Sequence, residues 1–233
     1  MPKPAVTTEK TPVKRAKTLA DEDVRRIAFD LHHEEHGLRS VVAFYLSYYC
    51  ALRACEIARL EWKNNVLDAK GKIAKRLTVS GGVAKRGGGG ELDIPTPLRH
   101  ALTMLREARP RDRFVFYPLD NRNIARPYEA QTGLKPNSVV QFFTRLYDRF
   151  GYDGLSSHSG RRSAITKFSR VASQSGKHSF LDVVQFARHK QADTTLAYIE
   201  PNEDRAAIIE SLWDDGEISD ARRTLRARVM EPA

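Results

Sequence analysis

The chain has 233 residues, 41% of them hydrophobic, so it can bury a full core and is not a wholly disordered protein. Its 39 Lys and Arg against 29 Asp and Glu give a formal net charge of +10, which indicates a polyanionic partner such as nucleic acid. No apolar run approaches the roughly 20 residues that span a bilayer, and the N-terminus lacks the apolar segment of a signal peptide. We therefore expect a cytoplasmic protein without membrane contact.

The excess positive charge is concentrated at the two ends of the chain. Residues 1–20 hold five Lys or Arg and one Glu, and residues 221–233 hold four Arg and one Glu. The interior therefore carries little net charge, and the charge supports DNA binding without proving it. We expect a disordered basic arm over 1–17, one domain over 18–213 and a basic tail over 214–233.

Apolar spacing predicts helices through the first part of the chain. A helix with Thr18 as a possible N-cap is predicted by four residues at i, i+3, i+4 and i+7: Val24, Ile27, Ala28 and Leu31. Residues 39–50 are apolar and aromatic enough for a buried helix. A shorter helix is expected after Arg53. Its packing side is predicted to carry Ile57, Ala58, Leu60 and Trp62.

The character of the sequence changes after residue 73. Two short strands are predicted at 77–79 and 91–94, joined by a loop that contains Gly87 to Gly90. Helical patterns then return at 98–108, 138–150, 160–173, 181–187 and 204–213. Residues 109–135 are expected to be largely loop. The predicted fold class is mainly α with a small antiparallel β-sheet, that is, α+β.

Three patterns suggest other chemistry, and each is weak. The run from His32 to His36 fits H-x-x-E-H, used by some zinc proteases, but it lies beside the apolar stripe and no third ligand is evident. The glycines from Gly87 to Gly90 lack the phosphate-loop pattern and stand between strands. Cys50 and Cys55 favour buried thiols over a disulfide or a metal pair. We expect no metal and no cofactor.

Two basic clusters and a tyrosine carry the groups for an attack on phosphorus. His158-Ser-Gly-Arg161 comes first, then His189, then Tyr198. Transesterification of a phosphodiester needs a nucleophile, positive charge at two nonbridging oxygens and a proton for the leaving 5′ oxygen. Arginine binds phosphate through paired hydrogen bonds, and histidine can serve as a base or a donor. A phenol, with a reference pKa of about 10, needs a cationic neighbourhood to attack.

Two upstream residues complete this set. Arg53 lies in the segment Ala-Leu-Arg-Ala-Cys-Glu, which ends at Glu56. Lys85 lies in the glycine-rich stretch and can act as a general acid if it reaches the leaving oxygen. Lys75 and Arg86 are alternatives to Lys85. The set predicts a metal-free transesterification centre.

Over most of residues 20–213 the sequence resembles the tyrosine recombinase, or phage integrase, family. Residues 51–62 are similar to the family's G-L-R-x-x-E-[LI]-x-x-L-x-W box. Arg53 matches the first catalytic arginine, and Glu56 matches the acidic residue that supports it. Lys85, followed by the segment Glu-Leu-Asp-Ile-Pro, is similar to the hairpin that carries the catalytic lysine.

Two further motifs lie downstream. The segment Ser-His-Ser-Gly-Arg-Arg resembles H-x-L-R-H, in which His158 and Arg161 match the catalytic histidine and the second arginine. Residues 187–198 resemble G-H-x-x-x-x-T-T-x-x-Y, in which His189 and Tyr198 match the last histidine and the nucleophile.

The sequence departs from the family pattern at three places. Arg188 replaces the glycine before His189, and Arg162 replaces the histidine that often follows the second arginine. Cys and Ala at positions 50–51 replace Thr-Gly. Four basic residues are predicted to contact DNA: Arg86, Arg162, Arg188 and Lys190.

The resemblance implies a site-specific recombinase that cuts and rejoins double-stranded DNA through a 3′-phosphotyrosyl bond, in integration, excision or inversion. It implies a homotetramer on DNA, in which a helix at 204–213 either links protomers or packs on its own core. The family's N-terminal clamping domain is not expected here, because about 20 residues precede the first helix. A decayed DNA-binding protein, a type IB topoisomerase and a zinc hydrolase remain alternatives.

Overall fold

The computed structural model describes residues 16–79, 89–175, 179–196 and 198. These residues belong to the first of two compact units, Met1–Ile199, and the second unit, Glu200–Ala233, lies outside the described residues. The helices of the described part are α1 Asp21–His32, α2 Gly37–Tyr49, α3 Ala54–Ile57, α4 Thr96–Ala108, α5 Asn121–Ile124, α6 Pro136–Arg149, α7 Ser159–Ser175, α8 Phe180–Ala187 and α9 Ala192–Leu196. The strands are β1 Arg76–Val79 and β2 Gly90–Asp93.

Helix α2 is the centre of the fold and packs against α1, α4 and α7. It is apolar on nearly all sides, as a helix surrounded by other elements must be. Val42, Ala43, Phe44 and Leu46 are fully buried. The prediction of a buried helix here is confirmed, with its ends at 37 and 49 instead of 39 and 50.

The start of α1 differs from the sequence prediction. Thr18 is not the N-cap: Ala20 occupies that position, and no side chain caps the helix. The first turn instead carries three acidic residues, and carboxylates there interact favourably with the positive end of the helix dipole. The four apolar residues that predicted this helix are all buried.

The helix after Arg53 is shorter than the sequence suggests. It ends at Ile57, and a π-helical turn over Trp62–Val66 follows it. The predicted packing residues are nevertheless buried: Ile57, Ala58, Leu60 and Trp62. The sequence therefore predicted which of these side chains are buried, but it did not predict the break between the short helix and the π-helical turn.

The small sheet is antiparallel, as predicted, and its register pairs Leu77 with Leu92. Both leucines are buried, while their neighbours along the strands are mostly exposed. The connecting segment 80–88 lies outside the described residues. It includes Lys85, Arg86, Gly87 and Gly88. The fold class is confirmed: the described chain is mostly helical with one two-stranded antiparallel sheet.

The remaining predicted helices agree with the structure to within about two residues where they are described. Helices α4 and α6 each begin earlier than predicted because a proline is tolerated in the first turn of a helix. The short α9 was not predicted, and the segment 109–135 contains α5 and a 3-10 turn at Tyr128–Ala130. The helix predicted at 204–213 falls outside the described residues.

A second, smaller core joins α7, α8 and the end of α2. Its buried members are Ala51, Ala164, Ile165, Ala172, Val183 and Ala187. Phe168 and Phe186 stack on it with ring centroids 4.6 Å apart, and Tyr198 packs against it. This packing brings the end of α2 next to the end of α8.

No helix of the described part is long and apolar enough to cross a membrane.

Candidate active site

At the centre of the site, two helices are each followed by a non-glycine residue in the left-handed conformation. Ala51, after α2, has φ 49°, and Arg188, after α8, has φ 51°. The Arg188 N–H donates to Gln185 O (3.0 Å) and the His189 N–H to Val184 O (3.3 Å), which is the Schellman pattern. Glycine is favoured at such left-handed positions because it has no Cβ. These are the two positions at which the sequence departs from the family's glycines.

Arg161 is a buried guanidinium that ties the two helix ends together. Its Nη1 donates to Ala51 O and its Nη2 to Ala187 O. Terminal helix carbonyls lack partners within the helix and carry partial negative charge, so a cation is stabilised there. The side chain is 2% exposed. The sequence predicted Arg161 as a site residue, and the structure places it at the centre of the cluster.

Arg188 turns its guanidinium inward, towards the same helix ends. Its Nη2 donates to Glu56 Oε2 at 2.9 Å and to Ala51 O at 3.2 Å. Its Nη1 donates to Cys50 O at 3.3 Å and to Phe186 O at 3.4 Å. This arrangement does not favour the predicted contact of Arg188 with DNA, because the side chain is 3% exposed and both of its terminal nitrogens donate inward. The remaining donor, Nε, is buried and has no hydrogen-bond partner among the described residues.

Glu56 is the carboxylate that joins two of the arginines. It is fully buried and accepts from Arg53 Nη1 at 2.9 Å and from the Arg53 backbone N–H at 2.8 Å. The second bond is the capping-box contact that begins α3. Its other partner is Arg188. Glu56 thus lies in direct contact with Arg53, whose side chain stays 22% exposed.

His189 is held in one neutral form by two neighbours. Arg161 Nη2 lies 2.9 Å from Nε2, and Thr195 Oγ1 lies 2.9 Å from Nδ1. An arginine can only donate, so Nε2 accepts and the proton is assigned to Nδ1, which donates to Thr195. Burial, and then the positive charges of Arg161, Arg53 and Arg188, lower the His189 pKa to about 4.

Tyr198 lies beside His189. The two ring centroids are 5.4 Å apart, and the Arg162 guanidinium carbon lies 5.7 Å from the tyrosine ring centroid. Thr166 Oγ1 donates to Tyr198 O at 3.2 Å, and the Tyr198 N–H donates to Thr195 O at 2.9 Å. The half-buried Tyr198 ring therefore lies between the neutral imidazole of His189 and the cationic guanidinium of Arg162.

The other predicted site residues are exposed or lie outside the described residues. His158 is exposed and directly precedes α7, three residues before Arg161. Lys190 is exposed in the turn after α8. Lys85 and Arg86 lie outside the described residues, whereas Lys75 is exposed just before β1.

The cluster has more positive than negative charge. Arg53, Arg161 and Arg188 face the single buried carboxylate of Glu56. Burial, followed by the charges of Arg53 and Arg188, lowers the Arg161 pKa to about 10, so it stays protonated at pH 7. Partly desolvated cations in excess attract an anion with paired acceptor oxygens, such as a phosphodiester.

The alternative zinc site has no support in the described part of the chain. There, no group of three His, Cys, Asp or Glu side chains is placed to hold a metal ion. His32 ends α1, and His36 lies in a left-handed turn before α2, where its Nε2 is 3.6 Å from Glu35 Oε1. Cys50 is buried, Cys55 is half-buried, and neither forms a disulfide.

Sequence reasoning missed three contributors to the site. Thr195 and Thr166 hold His189 and Tyr198, and the Ala51 carbonyl is an acceptor shared by two arginines. Thr195 could have been found, since it is the second threonine of the T-T pair in the last motif. The shared carbonyl has no sequence signal beyond the replaced glycine.

No known family model and no curated protein sequence matches the chain. Several solved structures match its fold. The XerA recombinase is 15% identical with a TM-score of 0.60, over 88% of this chain and 66% of that one. The Tn1549 transposon integrase, solved in complex with a circular intermediate DNA, is 14% identical with a TM-score of 0.64, over 86% and 67%. A lambda integrase dimer bound to a COC′ core site is 13% identical with a TM-score of 0.58, over 82% and 49%.

The chain thus spans about half to two thirds of the length of these solved proteins. The matches share a fold with it at low sequence identity, and they agree with the resemblance expected from the motifs. The chain has the catalytic-domain fold of the tyrosine recombinases.

Proposed function

We propose that the chain is a site-specific DNA recombinase that cuts and rejoins DNA through a 3′-phosphotyrosyl intermediate. The observation that carries the proposal is a cluster of three arginines around one buried carboxylate, next to the half-buried Tyr198. The shared fold adds support, because the Tn1549 integrase and the lambda integrase were solved on DNA.

In the proposed reaction the Tyr198 oxygen attacks the scissile phosphorus while its phenolic proton passes to solvent water. The bond from phosphorus to the 5′ oxygen breaks, and Lys85 gives that oxygen its proton, so the products are a phosphotyrosyl 3′ end and a 5′-hydroxyl. Rejoining runs the same steps backwards. The phosphotyrosyl bond conserves the energy of the phosphodiester, so neither ATP nor a metal is required.

The arginines stabilise the charge that builds up on the nonbridging oxygens. Arg53, partly exposed, contacts the phosphate, and Arg161 supplies charge from the same cluster. Positive groups held in place before the reaction need no rearrangement during it, which is the main source of rate enhancement here. His189 orients Arg161 through Nε2, and His158 assists from the start of α7.

The proposal extends to the assembly on DNA. A homotetramer would bring two double-stranded sites together, with Arg162 and Lys190 against the DNA backbone and residues 204–213 linking protomers. Whether the outcome is integration, excision or inversion depends on where the sites lie.

The test is to trap the covalent intermediate. The purified chain is incubated with randomly nicked genomic DNA from its source cell, since a nick near the cut lets the 5′-hydroxyl fragment diffuse away. Attached DNA ends are sequenced, and the linked peptide is identified by mass spectrometry. We expect attachment through Tyr198 at one recurrent sequence. Tyr198→Phe should bind DNA but form no adduct, whereas Tyr45→Phe, on half-buried Tyr45 of α2, should form it normally.

Three outcomes contradict the proposal in different ways. An adduct that survives in Tyr198→Phe would mean that another residue is the nucleophile. Wild-type attachment at scattered sequences would favour a topoisomerase. DNA binding without any adduct in the wild type would favour a decayed, non-enzymatic DNA-binding protein.

A further inference from the structure

Arg188 stands where the backbone favours glycine. In the left-handed conformation its Cβ approaches a carbonyl oxygen, which is unfavourable for an L-residue. Its side chain is also 3% exposed, so its charge has been taken out of water. Both costs must be met by specific contacts, and the turn alone gives no reason for an arginine.

The contacts of Arg188 connect four elements of the site. The side chain starts at the end of α8, bonds to Glu56 in α3, and bonds to the carbonyls of Cys50 and Ala51 after α2. Its stem passes β2: a Cβ placed on Gly90 would lie 3.6 Å from Arg188 Cδ. One residue thus links the segments that carry Arg53 and His189 with the Ala51 carbonyl to which Arg161 donates.

We propose that Arg188 is a positioning residue of the phosphate site, acting through Glu56 and the Ala51 carbonyl. This inference rests on the proposed function, because the phosphate is the one that the recombinase would cut. Arg188 does not touch the phosphate. It binds Glu56 and Ala51 O from the buried side, and Arg53 and Arg161 bind the same two groups.

The charge balance gives the physical reason. Without Arg188, Glu56 would be paired with Arg53 alone, and its negative charge would offset that of the arginine nearest the solvent. With Arg188, the carboxylate is shared between two guanidiniums at 2.9 Å each. More of the Arg53 charge is then left for an incoming phosphate, in a site where weak solvent screening strengthens the attraction.

The experiment compares four variants on the genomic fragment recovered with the wild type. Arg188→Met keeps a long stem and removes the guanidinium. Arg188→Gly also removes it but relaxes the turn, and Arg188→Lys keeps the charge without the fork. Arg149→Met is the matched control, because Arg149 lies on the surface of α6 and pairs with Glu34 at 2.6 Å. DNA affinity, the single-turnover rate of adduct formation and thermal unfolding are measured for each.

We expect Arg188→Met and Arg188→Gly to bind DNA within about twofold of the wild type and to form adduct about 10- to 100-fold more slowly. This decrease in rate is smaller than the one expected when a group that contacts the reacting atoms is removed. Arg188→Lys should fall between them and the wild type, and Arg149→Met should match the wild type. A wild-type rate of adduct formation in Arg188→Gly would overturn the proposal, because the guanidinium would then contribute nothing beyond the conformation of the turn. A wild-type rate in Arg188→Met would overturn it as well.

A second measurement works on the free protein and does not depend on cleavage. His189 is faced by Arg161 of α7, Arg53 before α3, Arg188 in its own turn, Thr195 of α9 and Tyr198. Burial and these three arginines hold its pKa down. NMR titration should therefore show a higher His189 pKa in Arg188→Met and an unchanged one in Arg188→Lys, and an unchanged value in both would overturn the proposal.

The two proposals fail separately. If the wild type forms no adduct, the proposed function is wrong, and the His189 titration still decides whether Arg188 acts on the cluster. If Arg188→Met does not fold, Arg188→Lys decides: a slower rate with unchanged DNA affinity supports the proposal, and a wild-type rate contradicts it.

Discussion

Removing the charge of Glu56 is the sharpest test of how the cluster is held together. Glu56→Gln preserves the size of the side chain but replaces one acceptor oxygen with an amide donor. That donor would face either Arg53 or Arg188, both of which can only donate. It would also leave three guanidiniums without the buried carboxylate that pairs with two of them.

The size of the effect follows from the contacts. Two ion pairs of 2.9 Å are lost from a carboxylate that is fully buried. Removing one partner of a buried ion pair costs about 3–5 kcal/mol, because the other charge stays in a poorly solvating environment. We expect the free energy of unfolding to fall by about 3 kcal/mol, a large share of the roughly 5–15 kcal/mol typical of a domain.

The assay is urea unfolding followed by circular dichroism, with Glu34→Gln as the control. Glu34 pairs with Arg149 at 2.6 Å, but the two side chains are 31% and 51% exposed. Such surface pairs contribute at most about 1 kcal/mol. With a slope of roughly 1–3 kcal/mol per molar urea, Glu56→Gln should lower the midpoint by about 1 M or more. Equal midpoints for the two variants would refute the idea that Glu56 is the buried counterion of the cluster.

Two further predictions concern α7 and His189. Gly160→Ala should lower the free energy of unfolding by about 1–3 kcal/mol, since the new Cβ would lie 2.5 Å from Ser47 Oγ on α2. Replacing glycine by alanine within a helix usually raises the melting temperature, and such an increase here would contradict the prediction. The His189 pKa of about 4 lies below its ordinary value, so the unfolded chain binds the proton first on acidification. The contribution of neutral His189 to the free energy of unfolding is therefore fully present above about pH 6.5 and is lost as the pH falls towards 4. His189→Asn should lose less stability over that window in thermal unfolding, and a constant difference from the wild type between pH 7 and 4 would rule this out.

Much of the fold could be predicted from local patterns. The apolar spacing of α1 and the nearly continuous apolar run of α2 follow from burial of one face or of all faces, and both helices are present. The end points were less predictable. Thr18 does not cap α1, and the helix after Arg53 gives way to a π-helical turn, because tertiary packing and not local preference decides where those helices end.

The candidate site was only partly predictable for a related reason. Motif spacing identified Arg53, Glu56, Arg161, His189 and Tyr198, and the structure brings these residues into one cluster. It did not reveal that Thr195 fixes the imidazole proton of His189.

By itself, the sequence determined the residue types of the proposed phosphate site, the order of its motifs and the mainly helical fold. Only the tertiary structure decided what Arg188 does. In the sequence it is a basic residue in place of a glycine, and a contact with DNA was expected. In the fold, the ends of α2 and α8 meet, and Arg188 bonds to Glu56, 132 residues away along the chain. A buried charged side chain must point towards hydrogen-bond acceptors, and these acceptors come within reach only when distant segments of the chain have packed together.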